Sequence, residues 1–238
     1  MILNMLDDEK LFYKRNYARL HDKNKNELIV IVGDPGSGKS YAGLRQGEIL
    51  TDLRFSINDC KFLPSEFMQR IATAGKYSVV MLDDSGIALN ARDFMSKSNK
   101  LISLALESCR FKNQTLILTV PDLMMIDINA RRLMNELFWM KYIVRSEGYS
   151  CATWYEVSNN PLISKVYKKY PRVEASGELK EKDTMRIRKP GDALIEDYER
   201  EKKDFLDPLY GDFVEELAKI EDKWRGLKRR KAQSEVIT

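Results

Sequence analysis

The chain has few cysteines and no long apolar run. Cys60, Cys109 and Cys151 are an odd set without framework spacing, which argues against a disulfide-stapled secreted domain. No apolar run approaches the length of a bilayer-spanning helix, so no membrane insertion is expected. The first residues, MILNMLDDEK, carry acids where a secretory signal peptide has a basic region. These absences predict a cytoplasmic protein.

A strong excess of charge is also lacking. The formal net charge of the 238 residues is +4, which neither requires nor excludes a nucleic-acid partner. The apolar fraction of 43% is ordinary for a chain with a sizeable core. This length allows one large domain or a domain with an appendage.

Apolar runs mark the predicted buried strands at residues 28–32, 77–82 and 115–120, and a further strand is expected at 137–144. A short strand is expected within 55–62, and helices at 40–53, 64–74, 93–108 and 127–136. Strands that alternate with helices predict an α/β fold with a mostly parallel sheet and helices on both faces. Ligands of such sheets bind at the carboxyl ends of the strands.

Segments of different character flank a predicted core at residues 27–145. Residues 1–26 form an N-terminal helical segment. Residues 146–190 hold a hairpin, with antiparallel strands at 149–157 and 162–170, and then a charged loop or weak strand. Residues 191–238 form a helical, basic C-terminal extension with helical stretches at 192–205 and 213–224.

The segment GDPGSGKS at residues 33–40 matches the Walker A pattern G-x-x-x-x-G-K-[ST]. Glycines let backbone N–H groups approach phosphate oxygens, and the following helix directs its positive dipole end at the same anion. Lys39 can reach the β- and γ-phosphates, and Ser40 can ligate Mg²⁺. A chance glycine-rich turn is the alternative, but the position between a strand and a helix favours the motif. The candidate nucleotide-binding residues are Gly33, Asp34, Pro35, Gly36, Ser37, Gly38, Lys39, Ser40 and Tyr41.

Two adjacent acids follow the second predicted strand, in VVMLDD. This segment resembles a Walker B motif, in which Asp83 holds Mg²⁺ opposite Ser40. Asp84 then occupies the place of the residue that polarises the attacking water, and we expect it to be the catalytic base. The alternative is a pair of acids that caps a strand and enters a turn.

Three further positions are candidates for contacts to the γ-phosphate. Thr119, at the end of the third strand, is a candidate polar sensor. Arg110 precedes that strand, so it lies at the opposite edge of the sheet and could act only on a neighbouring subunit's nucleotide. The pair Arg131 and Arg132 is a second candidate for this role in trans. A solvent-exposed position is the alternative for each arginine.

ATP is preferred over GTP. A GTPase carries Asn-Lys-x-Asp after a strand, whereas residues 99–102 read Asn-Lys-Leu-Ile and fall in a predicted helix. One helix separates Asp84 from the strand at 115–120. We therefore expect that strand to lie between the strands of the two motifs, as in the additional-strand branch of P-loop ATPases.

The motif order GDPGSGKS, VVMLDDSG, SCRFKNQTLILTVPD resembles the HerA/FtsK superfamily, which includes Zot-like and viral genome-packaging ATPases. The resemblance covers residues 27–145 and implies a RecA-like ATPase core, a homo-oligomeric ring such as a hexamer, and roles for Arg110 and Thr119. Two features depart from the family: Asp84 replaces the usual glutamate, and TVPD replaces a glutamine. The stretch TVPDLMMIDINARRL is also similar to AAA+ proteins, but no lid helix with a sensor arginine follows.

Basic residues near the C-terminus favour DNA as a partner. Residues 223–231, KWRGLKRRK, contain six cations, no acid and one tryptophan. A second basic patch comprises Lys165, Lys168, Lys169 and Arg172. A solubilising helix end is the alternative.

These features together predict an oligomeric, Mg²⁺-dependent ATPase that moves or packages DNA. An AAA+-like replication initiator or helicase loader is the second hypothesis, and a P-loop small-molecule kinase is the third. The adjacent acids Asp83 and Asp84 suit water activation better than activation of a substrate hydroxyl.

Overall fold

Strands and helices alternate along the chain, as the apolar runs predict. The computed structural model describes residues 4–83, 112–163, 165–175 and 178–235. In these ranges the strands and α-helices are α1 (Asp7–Tyr17), β1 (Glu27–Val32), α2 (Lys39–Leu50), β2 (Cys60–Lys61), α3 (Pro64–Thr73), β3 (Val79–Leu82), β4 (Thr115–Val120), α4 (Ile128–Leu133), β5 (Glu136–Val144), β6 (Tyr149–Asn160), β7 (Lys165–Lys169), β8 (Arg172–Ala175), β9 (Glu178–Glu181), β10 (Thr184–Arg188) and α5 (Asp192–Glu235).

The main sheet has the strand order β10-β6-β5-β1-β4-β3-β2, and β7 pairs with β6 beside this path. The strands β5, β1, β4, β3 and β2 are parallel, whereas β6 is antiparallel to β5, β7 and β10. Strand β4 lies between β1 and β3, which confirms the additional-strand arrangement. The strands β8 and β9 form a separate two-stranded sheet.

The apolar strands of the first part of the chain form the buried centre of the sheet. Side chains of β1, β3 and β4 are almost all buried, because helices cover both faces. Helix α2 packs closely on this sheet at Gly43 and Gly47. A Cβ atom at Gly47 would lie 2.6 Å from the Phe55 ring, so only glycine allows this approach.

The N-terminal helix α1 packs against the antiparallel part of the main sheet. The Phe12 ring lies edge-on to Phe138 and Trp154, with centroid distances of 5.3 and 5.8 Å. Asp8 accepts hydrogen bonds from both the backbone N–H and the guanidinium of Arg186 in β10. These contacts make α1 part of the same packed unit as the sheet.

The chain forms two compact units, whose boundary differs from the boundaries of the four segments expected from sequence. The first covers Met1–Ile195 and the second Glu196–Thr238. The hairpin region joins the first unit because β6 and β10 continue the main sheet. The charged stretch expected to be loop or weak strand forms β8, β9 and β10, and one helix, α5, replaces the two helices expected after residue 191.

Two other expected elements differ in extent. The helix expected at 127–136 covers only Ile128–Leu133, and the strand within 55–62 has two residues. The helix expected at 93–108 lies outside the described residues. None of the described helices combines the length and the apolarity that a membrane crossing requires.

Candidate functional site

The loop between β1 and α2 has the backbone that its glycines predict. Gly36 and Gly38 adopt φ angles of +78° and +91°, in the left-handed region that favours glycine. Gly38 is the N-cap of α2, and no side chain caps this helix. An α-helix leaves its first N–H groups without intrahelical acceptors, and its dipole is positive at this end. The loop is therefore built to receive an anion.

Lys39 is folded into this loop. Its side chain is buried, and the Nζ atom donates to the carbonyl oxygens of Gly33 and Asp34 at 2.8 and 2.9 Å. These bonds hold the ammonium group among the backbone atoms of the loop. A phosphate that enters the loop meets a fixed positive charge there.

The buried hydroxyl group of Ser37 indicates whether the loop fits a phosphate. Its Oγ atom is buried and has no hydrogen-bond partner. A buried hydroxyl without a partner is costly, and a phosphate oxygen is a suitable acceptor for it. A Cβ atom at Gly33 would lie 2.9 Å from this Oγ, so a side chain there would close the loop. These features fit a bound polyphosphate.

The carboxylate of Asp83 joins three elements beside the loop. Asp83 directly follows β3 and is only 1% exposed. Ser40, in the first turn of α2, donates from Oγ to Asp83 Oδ2 at 3.1 Å. Thr119 in β4 donates from Oγ1 to Asp83 Oδ1 at 2.7 Å. The Walker A serine, the Walker B aspartate and the expected polar sensor therefore form one hydrogen-bonded group.

Ser40 and Asp83 fit a magnesium ion. Among the described residues, no group of three or more His, Cys, Asp or Glu side chains could hold a metal. Magnesium at a nucleotide needs fewer protein ligands, because phosphate oxygens and water complete its octahedral shell. A hydroxyl and a carboxylate oxygen at one edge of the phosphate loop are the donor types that this ion prefers.

A largely apolar cavity of about 280 Å³ adjoins the loop at Gly38. Its lining includes Tyr41 of α2, Ile143 of β5, Tyr149 of β6 and Ile187 of β10. Except for Tyr41, sequence reasoning missed these residues. They meet at the loop only because β5, β6 and β10 are neighbours, and no single motif signals that pairing.

The remaining predicted site residues are Asp84, Arg110, Arg131 and Arg132. Asp84 and Arg110 lie outside the described residues. Arg131 and Arg132 are in the last turn of α4. Arg131 donates to the Met124 sulfur at 3.2 Å and Arg132 to Asn129 Oδ1 at 3.4 Å, and both of these contacts are local in sequence.

The predicted basic patch on the hairpin is exposed but partly balanced by acids. Lys169 pairs with Glu156 at 3.7 Å, and Arg172 pairs with Glu181 at 3.9 Å. Exposed ion pairs contribute little to stability, so these cations are available to a charged partner at small cost.

A buried pair of carboxyl groups, Glu27 and Glu136, lies at the opposite edge of the sheet. Burial and the nearby Glu27 charge raise the pKa of Glu136 to about 8. Trp154 Nε1 donates to Glu136 Oε2 at 2.7 Å, and Arg15 approaches its other oxygen at 3.4 Å. Asn16 donates to Glu27. Sequence reasoning did not single out this pair, since each glutamate reads as an ordinary strand start.

No protein-family model and no curated protein matches the chain. Solved structures similar to it include the N-terminal domain of zonular occludens toxin from Neisseria meningitidis, at 13% identity and a TM-score of 0.35 over 63% of this chain and 95% of that one. The FIGL-1 AAA domain in complex with ADP is 13% identical, with a TM-score of 0.39 over 57% of this chain and 53% of that one. The genome-packaging NTPase B204 of Sulfolobus turreted icosahedral virus 2, in complex with AMP, is 12% identical, with a TM-score of 0.34 over 62% and 98%.

The strand order, the glycine-rich loop between β1 and α2, and the contacts of Asp83 define the class of this protein. It has a P-loop NTPase fold of the additional-strand type.

Proposed function

We propose that the chain binds and hydrolyses ATP with Mg²⁺, and that it does so as a homo-oligomeric motor on DNA. One observation carries the nucleotide part of this proposal. The buried Asp83 carboxylate accepts hydrogen bonds from Ser40 and Thr119 directly beside the loop that encloses Lys39. If Asp83 only capped the end of β3, nothing would require it to lie beside a glycine-rich loop that encloses a lysine.

In this proposal, each part of the triphosphate has a partner among the described residues. Backbone N–H groups of residues 33–40 and the N-terminus of α2 surround the β-phosphate, while Lys39 balances charge on the β- and γ-phosphates. Ser40 and Asp83 would hold Mg²⁺, which when bound would neutralise charge on the same phosphates. Thr119 fixes the orientation of the Asp83 carboxylate.

Hydrolysis is an in-line displacement at the γ-phosphorus. A water oxygen forms the new bond, and the bond to the bridging oxygen of ADP breaks. We assign to Asp84, the next residue after Asp83, the acceptance of the proton from this water. Arg110 of a neighbouring subunit completes the charge stabilisation.

The base of the nucleotide lies in the cavity beside Gly38. Tyr41 and Tyr149 provide aromatic surface there, and Ile143 and Ile187 provide apolar surface. Ligand sites commonly combine such apolar walls with a few polar groups, and the cavity of about 280 Å³ suits one planar ring system.

Clustered cations support the DNA part of the proposal. Residues 223–231 contain six cations and no acid, and the hairpin patch adds four exposed basic residues. Each contact between such a residue and a phosphate releases counterions, so DNA binding should weaken steeply with salt.

The test is the ATPase rate with and without double-stranded DNA, together with mass measured by light scattering. A DNA-stimulated oligomer supports the motor. DNA binding without stimulation favours an AAA+-like initiator or loader instead, and phosphate transfer to a metabolite favours a kinase.

Two variants separate binding from turnover. Lys39→Ala should lose ATP binding, because the loop then lacks its fixed charge. Asp84→Asn should keep ATP binding and lose turnover, since an amide cannot accept the proton. Normal hydrolysis by Asp84→Asn would contradict the assignment of the base.

A further inference from the structure

Helix α5 carries a stripe of exposed apolar side chains at heptad spacing. The stripe residues are Tyr210, Phe213, Leu217, Ile220 and Trp224, with Val214 beside them. Their separations of three and four residues place them along one face of the helix. All six are between 45% and 66% exposed.

The exposed apolar area of this stripe is larger than that of a typical apolar patch on a monomeric protein. With roughly 100–170 Å² exposed for each of the six residues, it presents on the order of 700 Å² per chain, above the few hundred Å² usual for a monomer. A standard interface buries about 800 Å² per partner. In the described residues of the second unit, α5 is the only element, so this unit has nothing of its own to cover the stripe.

The charges along α5 identify the partner that fits the stripe. Residues 207–222 contain six acids and one lysine, whereas residues 223–231 contain six cations and no acid. The helix therefore has an acidic segment followed by a basic one. A second copy that runs in the opposite direction, centred between Leu217 and Ile220, places residues 223–231 against residues 206–214 of the partner, which contain two acids and no cation. A parallel copy places the six cations of residues 223–231 beside the same six cations of the partner.

The residues that border the stripe give the same direction. Glu216 and Lys223 occupy g positions of the heptad, and Glu221 occupies an e position. In a parallel pair, g meets the following e of the partner, which opposes Glu216 to a second copy of Glu221. In an antiparallel pair centred between Leu217 and Ile220, g meets g, which opposes Glu216 to Lys223 of the other copy.

We propose that the apolar stripe of α5 is a homodimer interface in which two copies of this chain pair their helices antiparallel. Leu217 of each copy packs against Ile220 of the other, and Glu216 pairs with Lys223 at two symmetry-related places. Such a contact has twofold symmetry, so it joins two subunits and does not by itself close a ring. The contact uses no residue of the nucleotide site and goes beyond the function proposed above.

The experiment measures the dimer dissociation constant of the full chain by sedimentation equilibrium without nucleotide. It compares the wild type with Lys39→Ala, because a dimer contact that does not involve the nucleotide site should have the same dissociation constant in both proteins. We expect both proteins to be dimers with equal dissociation constants. The double variant Leu217→Lys/Ile220→Lys should raise the dissociation constant more than about 100-fold, because it places cations in the apolar seam. Circular dichroism and thermal unfolding check that the fold is kept.

Charge reversal tests the antiparallel direction. Glu216→Lys and Lys223→Glu should each weaken the dimer about tenfold, since each replaces two attractive pairs by two repulsive ones. The double reversal should restore the wild-type dissociation constant. Glu215→Lys is the matched control, because it makes the same charge change on the opposite face of α5 and should have little effect.

Three results would overturn the proposal. They are a monomer at all concentrations tested, a dimer that survives Leu217→Lys/Ile220→Lys, and a dimer that Glu216→Lys tightens. The last result identifies a parallel pair, in which a lysine at 216 would meet Glu221 of the partner.

Discussion

At the scale of single residues, the Asp83 carboxylate links the parts of the nucleotide site. Its two oxygens accept from Ser40 and Thr119, which belong to different elements. Since both donors are fixed by secondary structure, the orientation of the carboxylate is set before a nucleotide binds. Thr119 is a candidate polar sensor from its sequence position, and the structure adds its positioning contact to Asp83.

Replacement of Thr119 tests this positioning. Thr119→Val keeps the shape of the side chain and removes the donor, so we expect kcat to fall about tenfold, the equivalent of roughly 1.4 kcal/mol for a hydrogen bond to a charged group. The concentration of Mg²⁺ at half-maximal rate should rise. Steady-state kinetics against Mg²⁺ measures both effects, and Thr119→Ser should rescue them. A Thr119→Val enzyme with wild-type Mg²⁺ dependence would contradict the role.

The buried Glu136 carboxyl predicts a pH dependence of stability. Its pKa in the folded state, about 8, lies above the value of 4.5 for a free side chain, chiefly because of burial. Stability from this group is complete below pH 4.5 and is lost as the pH rises through 8. Glu136→Gln keeps an acceptor for Trp154 and carries no charge, so it does not share this pH-dependent loss. The free energy of unfolding of the variant minus that of the wild type should therefore increase from pH 6 to pH 9 by on the order of 2 kcal/mol. Urea unfolding at the two pH values measures this, and an equal difference at both would contradict it.

At the scale of elements, the close packing of α2 positions the phosphate loop and Ser40. Gly47 faces the rigid Phe55 ring, whereas Gly43 faces the flexible end of the Met81 side chain. The two glycines therefore differ in what they allow, although both lie inside the same helix.

This difference gives a matched pair of variants. Gly47→Ala should destabilise the protein by about 1–3 kcal/mol despite the better helix propensity of alanine, because the Phe55 ring has to move. Gly43→Ala should cost less, since the Met81 thioether can adopt another rotamer. Thermal unfolding of both proteins measures the effect, and an equal or larger loss for Gly43→Ala would contradict the packing argument.

The elements also show where sequence patterns predict structure and where they do not. Strands β1, β3 and β4 were predicted, because strands buried on both faces are continuous apolar runs. Strand β10 was expected as loop or weak strand, because the stretch around it is strongly charged and contains Gly177 and the breaker Lys189-Pro190-Gly191. In the structure, its buried apolar residues alternate with Arg186 and Arg188. Their partners, Asp8 and Glu9 of α1, are 178 and 179 residues away in sequence, and no local pattern reveals such pairing.

At the scale of the whole molecule, the motifs predicted the core of the site, and the strand order supplied the rest. The loop at residues 33–40, Asp83 and Thr119 were predicted from sequence because each lies at or next to the end of an apolar strand. The cavity residues Ile143 and Ile187 were not, because they reach the loop through β5 and β10, which are separated in sequence. Asp84 and Arg110 stay predictions.

Assembly is the second feature of the whole molecule. The proposed motor requires subunits that share nucleotide sites, and the proposed α5 contact requires a twofold pair. The two contacts use different surfaces, so the Lys39→Ala and Leu217→Lys/Ile220→Lys proteins should lose different properties: the first ATP binding, the second the nucleotide-free dimer.

In the proposed nucleotide site, the loop at Gly33 and the Asp83 carboxylate together hold ATP with Mg²⁺. Calorimetric titration of ATP with and without Mg²⁺, on the wild type and on Asp83→Asn, tests it most directly. We expect Mg²⁺ to tighten ATP binding to the wild type, and Asp83→Asn to keep the metal-free affinity while losing this gain. An Asp83→Asn protein with the full Mg²⁺ effect, or a wild type that binds no ATP, would contradict it.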